Sequence, residues 1–195
     1  EWFSNATITS IKSLFYNVWS DSTKTTRASV DSCLAALTTN IDLSNVSVAA
    51  ILFCGSTLTA PDSLAPCSMS QINLTMPSLS NATEMFAGIS FNASVSFSLD
   101  LSDAFSMMLF AYSKFSAGVA ISSFPTAPQT SIADWFTYCT FLDANGLTPL
   151  ANLVTSSCTS LQNMFNYCTF GTSGQTSSVD FTNLNWDTSN VTNLS

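Results

Sequence analysis

The sequence of 195 residues contains no histidine. The usual general base near neutral pH is therefore missing, and Cys–His and Ser–His–Asp arrangements are excluded. Charge is scarce too: 8% of residues are Asp, Glu, Lys or Arg, against about 25% in ordinary soluble domains. Lys12, Lys24, Arg27 and Lys114 are the only cations in a chain of net charge −8. Phosphate binding needs clustered Lys and Arg, so nucleic acid is not an expected partner. No apolar run reaches the ~18 residues that span a bilayer; the nearest, Val48 to Cys54, is far shorter. The Cys-x-x-Cys spacing of a zinc site is absent, as are glycine-rich phosphate loops and a D-x-D-x-D-G calcium loop. No metal, cofactor or membrane span is expected.

What is present is apolar and neutral-polar. Hydrophobic residues make up 46% of the chain, enough for a sizeable core, and the polar surface must come mainly from Ser, Thr and Asn. The six cysteines, Cys33, Cys54, Cys67, Cys139, Cys158 and Cys168, are an even number that fits disulfides in an oxidising compartment. Asn-x-Ser/Thr, the N-glycosylation acceptor of secreted proteins, occurs at Asn5, Asn45, Asn73, Asn81, Asn92, Asn190 and Asn193. The opening Glu1-Trp2-Phe3 is compatible with a mature terminus after leader cleavage, and equally with a fragment of a longer chain. Cysteines, acceptors and missing charge together point to a secreted or cell-surface glycoprotein.

An internal repeat runs through this composition. Four segments begin Met85-Phe86, Leu109-Phe110, Trp135-Phe136 and Met164-Phe165, and each has a second Phe five positions on, at Phe91, Phe115, Phe141 and Phe170. Leu52-Phe53 with Leu58, and more weakly Leu14-Phe15 with Trp19, extend the frame backwards. The anchors Phe15, Phe53, Phe86, Phe110, Phe136 and Phe165 lie 38, 33, 24, 26 and 29 residues apart. The wider gaps imply insertions near 20–40 and 59–75. Apolar residues at −7, −4, −1 and 0 relative to the anchor, then Cys or another residue at +3, predict one face of a short helix, with Ser, Thr and Asp upstream as caps. After +5 the period becomes two, at Val95, Phe97, Leu99 and Leu101, at Val119 and Ile121, and at Val179 and Phe181, which predicts strands. The expected fold is an α/β leucine-rich-repeat-like solenoid over residues 1–195, with one strand and one short helix per repeat and about six coils. Its core anchors are Phe53, Phe86, Phe110, Phe136 and Phe165.

Two disulfide expectations follow from that frame. Cys139 and Cys168 share the +3 position of consecutive repeats. Adjacent coils lie about 5 Å apart, so this is the favoured pair. Cys158 and Cys168, on one helix about 15 Å apart, should not pair.

Residues Thr159 to Cys168 and Leu184 to Ser195, and in part Asp42 to Val46 with Leu52-Phe53-Cys54, resemble the BspA-type leucine-rich repeat of microbial surface proteins. The Trp186-Asp187-Thr188-Ser189-Asn190-Val191 run is the most specific element. The resemblance implies a surface protein concerned with adhesion or scaffolding, and it brings no catalytic residues.

Residual routes to chemistry are carboxylate pairs, Asp100 with Asp103 and Asp180 with Asp187; solvated or capping roles explain them better, and no catalytic residue is assigned. Trp2, Trp19, Trp135 and Trp186 are candidates for stacking on sugars. Trp135 sits at a core position and Trp186 in a turn, where exposure is expected. The expected function is a non-catalytic extracellular glycoprotein, a structural subunit of a surface layer or self-assembling filament. The alternative is an adhesion module binding carbohydrate or a cell-surface protein. In the repeat frame Val191 and Leu194 stand at −7 and −4, with no polar capping repeat around them. Such a solenoid either continues or docks its ends on neighbours as a homo-oligomer or filament.

Overall fold

The computed structural model describes residues 7–16, 42–54, 72–73, 75–91, 95–98, 101, 104–116, 121–123, 131–142, 150, 153–171 and 184–195. Seven short strands are present: β1 (Ile72–Asn73), β2 (Ser90–Phe91), β3 (Val95–Ser98), β4 (Lys114–Phe115), β5 (Ile121–Ser123), β6 (Thr140–Phe141) and β7 (Thr169–Phe170). All pairings are parallel, in two sheets of order β1-β3-β5 and β2-β4-β6-β7. A third line of single parallel bridges joins Ser10, Val48, Asn81 and Phe105, then Ser131, Ser160 and Asn193. Every one of these bridge residues except Asn193 stands five positions before an anchor phenylalanine.

The expected α/β solenoid of strand-plus-helix repeats is overturned, because the described residues contain no α-helix. The segments expected to be helical are runs of tight turns. Around Phe136, the amides of Trp135, Thr137 and Cys139 bond to the carbonyls of Ile132, Asp134 and Phe136, each three residues back. The amides between them leave the segment altogether. Those of Ile132, Asp134, Phe136 and Tyr138 bond to Ser160, Gln162, Met164 and Asn166 of the following layer, at 2.8–3.2 Å. In a helix every amide would bond to the residue four back. Here every second amide is given to the neighbour, so the donors are fully used without a helix.

Left-handed residues shape the corners at two positions, both of them described in the four corners from Phe86 to Phe165. At −2 stand Ser13, Ile51, Glu84, Met108, Asp134 and Asn163, with φ of 53° to 59°. At +2 stand Gly88, Tyr112, Tyr138 and Tyr167, with φ of 69°, 61°, 60° and 55°. Positive φ at the third residue of a four-residue turn is the type II geometry. The reversal of direction at each end brings −4, −1, 0 and +3 to one side, which is why a turn corner carries the same apolar spacing as a helix.

The core is a double column of aromatic rings. Phe15, Phe53, Phe86, Phe110, Phe136 and Phe165 stack with centroid spacings of 5.4, 5.6, 5.6, 5.4 and 5.9 Å. Phe91, Phe115, Phe141 and Phe170 form the second column at 4.9, 4.9 and 5.3 Å. Rings of the two columns meet edge to face, for example Phe110 with Phe115 at 62°. Burying each such side chain contributes about 1.5–3 kcal/mol, and the ring geometry adds about 0.5–1.5 kcal/mol per pair. The predicted period-two strands appear in part, as β3 over Val95–Ser98 and β5 over Ile121–Ser123; Val119, Val179 and Phe181 lie outside the described residues. So do most of the two expected insertions, although Ile72–Asn73 of the second pairs with Phe97 and Ser98 as an ordinary ladder strand.

Candidate functional site

The +3 position explains two of the cysteines. The Ser113 hydroxyl donates to the Phe86 carbonyl one layer back at 3.0 Å. The Cys139 thiol donates to Phe110 O at 3.0 Å and the Cys168 thiol to Phe136 O at 2.8 Å. Serine and cysteine thus do one job, in which a short side chain ties its layer to the anchor of the preceding one. Burial raises the Cys139 thiol far above its ordinary range, although the Ser113 backbone opposes the shift, and it pushes Cys168 up to about 11. A thiol held protonated is a poor nucleophile.

Cys54, Cys139, Cys158 and Cys168 are all free thiols. The favoured Cys139–Cys168 pair is therefore two parallel thiols, each engaged with a carbonyl rather than with the other. The ground for excluding Cys158 with Cys168 also falls, since no helix separates them. Burial raises Cys158 as well, and burial together with the Glu84 carboxylate raises Cys54. Cys33 and Cys67 lie outside the described residues.

The glycan acceptors are distributed unevenly. Asn45 is exposed, its amide donating only to the neighbouring Ser44 hydroxyl at 3.3 Å. Asn190 is exposed, but its amide donates to Ser156 O at 2.8 Å. Asn193 is half-buried and donates to Gln162 Oε1 at 3.1 Å. Asn81 is half-buried, its side-chain oxygen accepting the Thr83 amide at 3.0 Å. Asn73 lies in β1, while Asn5 and Asn92 lie outside the described residues.

Of the carboxylates, Asp100, Asp103 and Asp180 fall outside the described residues. Asp187 is exposed and accepts the Ser189 amide at 2.9 Å, and Asp42 accepts the Ser44 amide at the same distance. The serine hydroxyl and amide hold each carboxyl below its ordinary value. Both are turn-forming residues, and the two Asp-x-Ser-Asn-Val segments fold alike. Among the described residues, no group of three or more His, Cys, Asp or Glu is placed to hold a metal ion. No helix among them is long and apolar enough to cross a membrane.

The aromatic surface differs from expectation. Trp135 is fully buried, and its indole donates to Ser106 at 3.2 Å. Trp186, expected in the open, is half-buried, donates to Leu150 O at 3.0 Å and stacks on Phe165 at 6.2 Å, extending the anchor column. Trp2 and Trp19 lie outside the described residues. Beside Trp186 opens a cavity of about 480 Å³ lined by Leu161, Met164, Phe165 and Leu194, of which Leu194 is 72% exposed. The exposed aromatic row is instead made of tyrosine. Tyr112, Tyr138 and Tyr167 stack at 5.0 and 4.8 Å. Their repetition at +2 of three successive frames was the signal in the sequence, and it carried no assignment.

No family model, curated protein or solved structure matches this chain.

Proposed function

We propose that the chain is a non-catalytic extracellular glycoprotein and a structural subunit of a surface layer or self-associating filament. The observation that carries this is the repetition of one set of interlayer bonds. From Ile11 bonded to Val48 through to Leu161 bonded to Asn193, alternate amides of one layer bond to the next at most positions of the frame. Bonds of this kind add along one axis and do not close on themselves. The apolar face around Phe165, Trp186 and Leu194 is the kind of surface that a further layer covers.

Several features support a structural rather than a chemical role. The thiols of Cys139 and Cys168 are donors to backbone carbonyls, and the carboxylates of Asp42 and Asp187 shape turns. The few charges leave solubility to Ser, Thr, Asn and attached sugar, with Asn45 the best-presented acceptor among the described residues. The resemblance of Asp42–Val46 and Asp187–Val191 to microbial surface repeats adds to the proposed location and says nothing here of the fold. An adhesion module is the second reading, favoured by the exposed tyrosine row, since tyrosine combines apolar area with a polar tip suited to interfaces.

Intact mass and electron microscopy of natively sourced material test the proposal. A mass above the 20.8 kDa polypeptide that falls on glycosidase treatment, together with filaments or sheets in untreated samples, is expected. A monodisperse, unglycosylated monomer at high concentration would sink the structural reading and leave the adhesion module.

A further inference from the structure

Three of the four tyrosines in the chain share one column. Each sits at the left-handed +2 corner, with φ of 61° at Tyr112, 60° at Tyr138 and 55° at Tyr167. A non-glycine residue there costs roughly 1–2 kcal/mol. Gly88 occupies the same corner one layer earlier at φ 69°, so the unstrained solution is available to this fold. Three successive layers nevertheless place a bulky phenol on it. Repeated strain of this kind at an exposed position calls for a use.

The rings lie almost parallel, 4° apart for Tyr112 and Tyr138 and 5° for Tyr138 and Tyr167. They are 58%, 45% and 70% exposed. Stacking occupies both faces of Tyr138, so a sugar has no platform there. Backbone bonds hold the partners in register, with Tyr112 N to Thr137 O at 2.9 Å and Tyr138 N to Asn166 O at 2.8 Å. The result is a solvent-accessible row of phenols whose neighbours cannot drift apart.

We propose that Tyr112, Tyr138 and Tyr167 form a site of oxidative cross-linking, in which adjacent phenols are coupled by a haem peroxidase using hydrogen peroxide. Each of two neighbouring tyrosines loses one electron and one proton, giving two phenoxyl radicals. A carbon–carbon bond forms between ring positions ortho to the hydroxyls. Each ring then transfers its displaced ortho hydrogen to its own oxygen as a proton, restoring both phenols. The two electrons and two protons reduce one hydrogen peroxide to two waters. The product staples neighbouring layers through residues 26 or 29 apart in sequence. The biological use of the staple, hardening a surface structure, rests on the proposed extracellular role; the coupling chemistry does not.

The test treats the purified chain at about 10 µM with a plant haem peroxidase and hydrogen peroxide. It reads dityrosine fluorescence and maps linked peptides by their loss of two hydrogens. Neighbours tethered in one molecule have an effective concentration on the order of millimolar, so links within a chain should outnumber links between chains by about a hundred to one. They should join Tyr138 to Tyr112 or to Tyr167. Tyr138→Phe should abolish them, because the remaining two phenols are two layers apart. Tyr16→Phe, at an exposed tyrosine outside the column, should leave the yield unchanged. Coupling in urea should lose the preference. Links made mostly between chains, links to Tyr16 as frequent as those in the column, or full yield in a folded Tyr138→Phe protein would each overturn the proposal. Because none of these readouts depends on glycosylation or filaments, failure here is distinguishable from failure of the structural role.

Discussion

Replacing Phe136 by alanine tests whether the ring columns hold the molecule together. The side chain is fully buried. It lies between Phe110, at 5.4 Å and 3°, and Phe165, at 5.9 Å and 17°. Phe115, Phe141 and Trp135 close around it at 6.1, 5.9 and 6.4 Å. Truncating a buried Phe generally costs about 3–5 kcal/mol, more where the surroundings cannot collapse into the space. Here they are pinned, since Phe110 N bonds Trp135 O at 2.9 Å and Phe136 N bonds Met164 O at 3.1 Å. The expected loss is therefore at the upper end, about 4–5 kcal/mol, a third or more of the stability of many domains. Phe136→Leu keeps most of the volume but loses both parallel stacks, about 1–3 kcal/mol together. Phe165→Ala, at a half-buried position, should cost less than Phe136→Ala. Urea unfolding followed by tryptophan fluorescence reads all three, with Trp135 as a neighbouring probe. A loss below about 1 kcal/mol for Phe136→Ala, or the reverse ranking of positions 136 and 165, would refute the continuous core.

Two further outcomes follow from the corners and the thiols. The folded-state value of Cys168 is raised from 9.0 to about 11. Its contribution to stability is therefore fully present below pH 9 and is lost as pH rises towards 11, because the unfolded chain ionises first. The urea midpoint should fall across that window, and less steeply in Cys168→Ser, whose hydroxyl can make the bond that Ser113 makes. Ser13 is exposed with φ 59°, so Ser13→Gly should raise stability by about 0.5–1 kcal/mol, the relief of left-handed strain less the entropy of glycine. A loss on thermal melting would show that this corner is not strained.

The aromatic spacing was legible because it records stacking directly: a Phe recurring with a second Phe five positions on has to place two rings per layer on one axis. The backbone between was not legible. Apolar residues at −4, −1, 0 and +3 suit a helix face and a double turn equally, and the deciding feature is left-handed φ at −2 and +2. Glycine or asparagine would have marked those positions, but the chain places Ile51, Met108 and three tyrosines there, with Gly88 and Asn163 as the clearest exceptions. Cys139 and Cys168 hold equivalent positions in successive frames, and that shared position with the layer spacing suggests a disulfide, where the structure has two thiol donors. Trp186 read as a surface residue because its turn was visible and the ring beneath it, Phe165, was twenty-one residues away.

The connections between successive anchors vary from 24 to 38 residues, whereas the corners share most of their bonds position by position. Closing the longest connection rather than the shortest costs only about 0.4 kcal/mol. Mutations that change length are thereby sorted by where they fall. Between corners and away from the paired strands, a gained or lost segment is close to neutral, and a lineage can drift there freely. Within a corner, one added residue would move the left-handed positions, the ring and the interlayer amides out of phase together, and selection would remove it at once. Unequal repeats are the expected record of such a history, with the aromatic pair as its fixed mark.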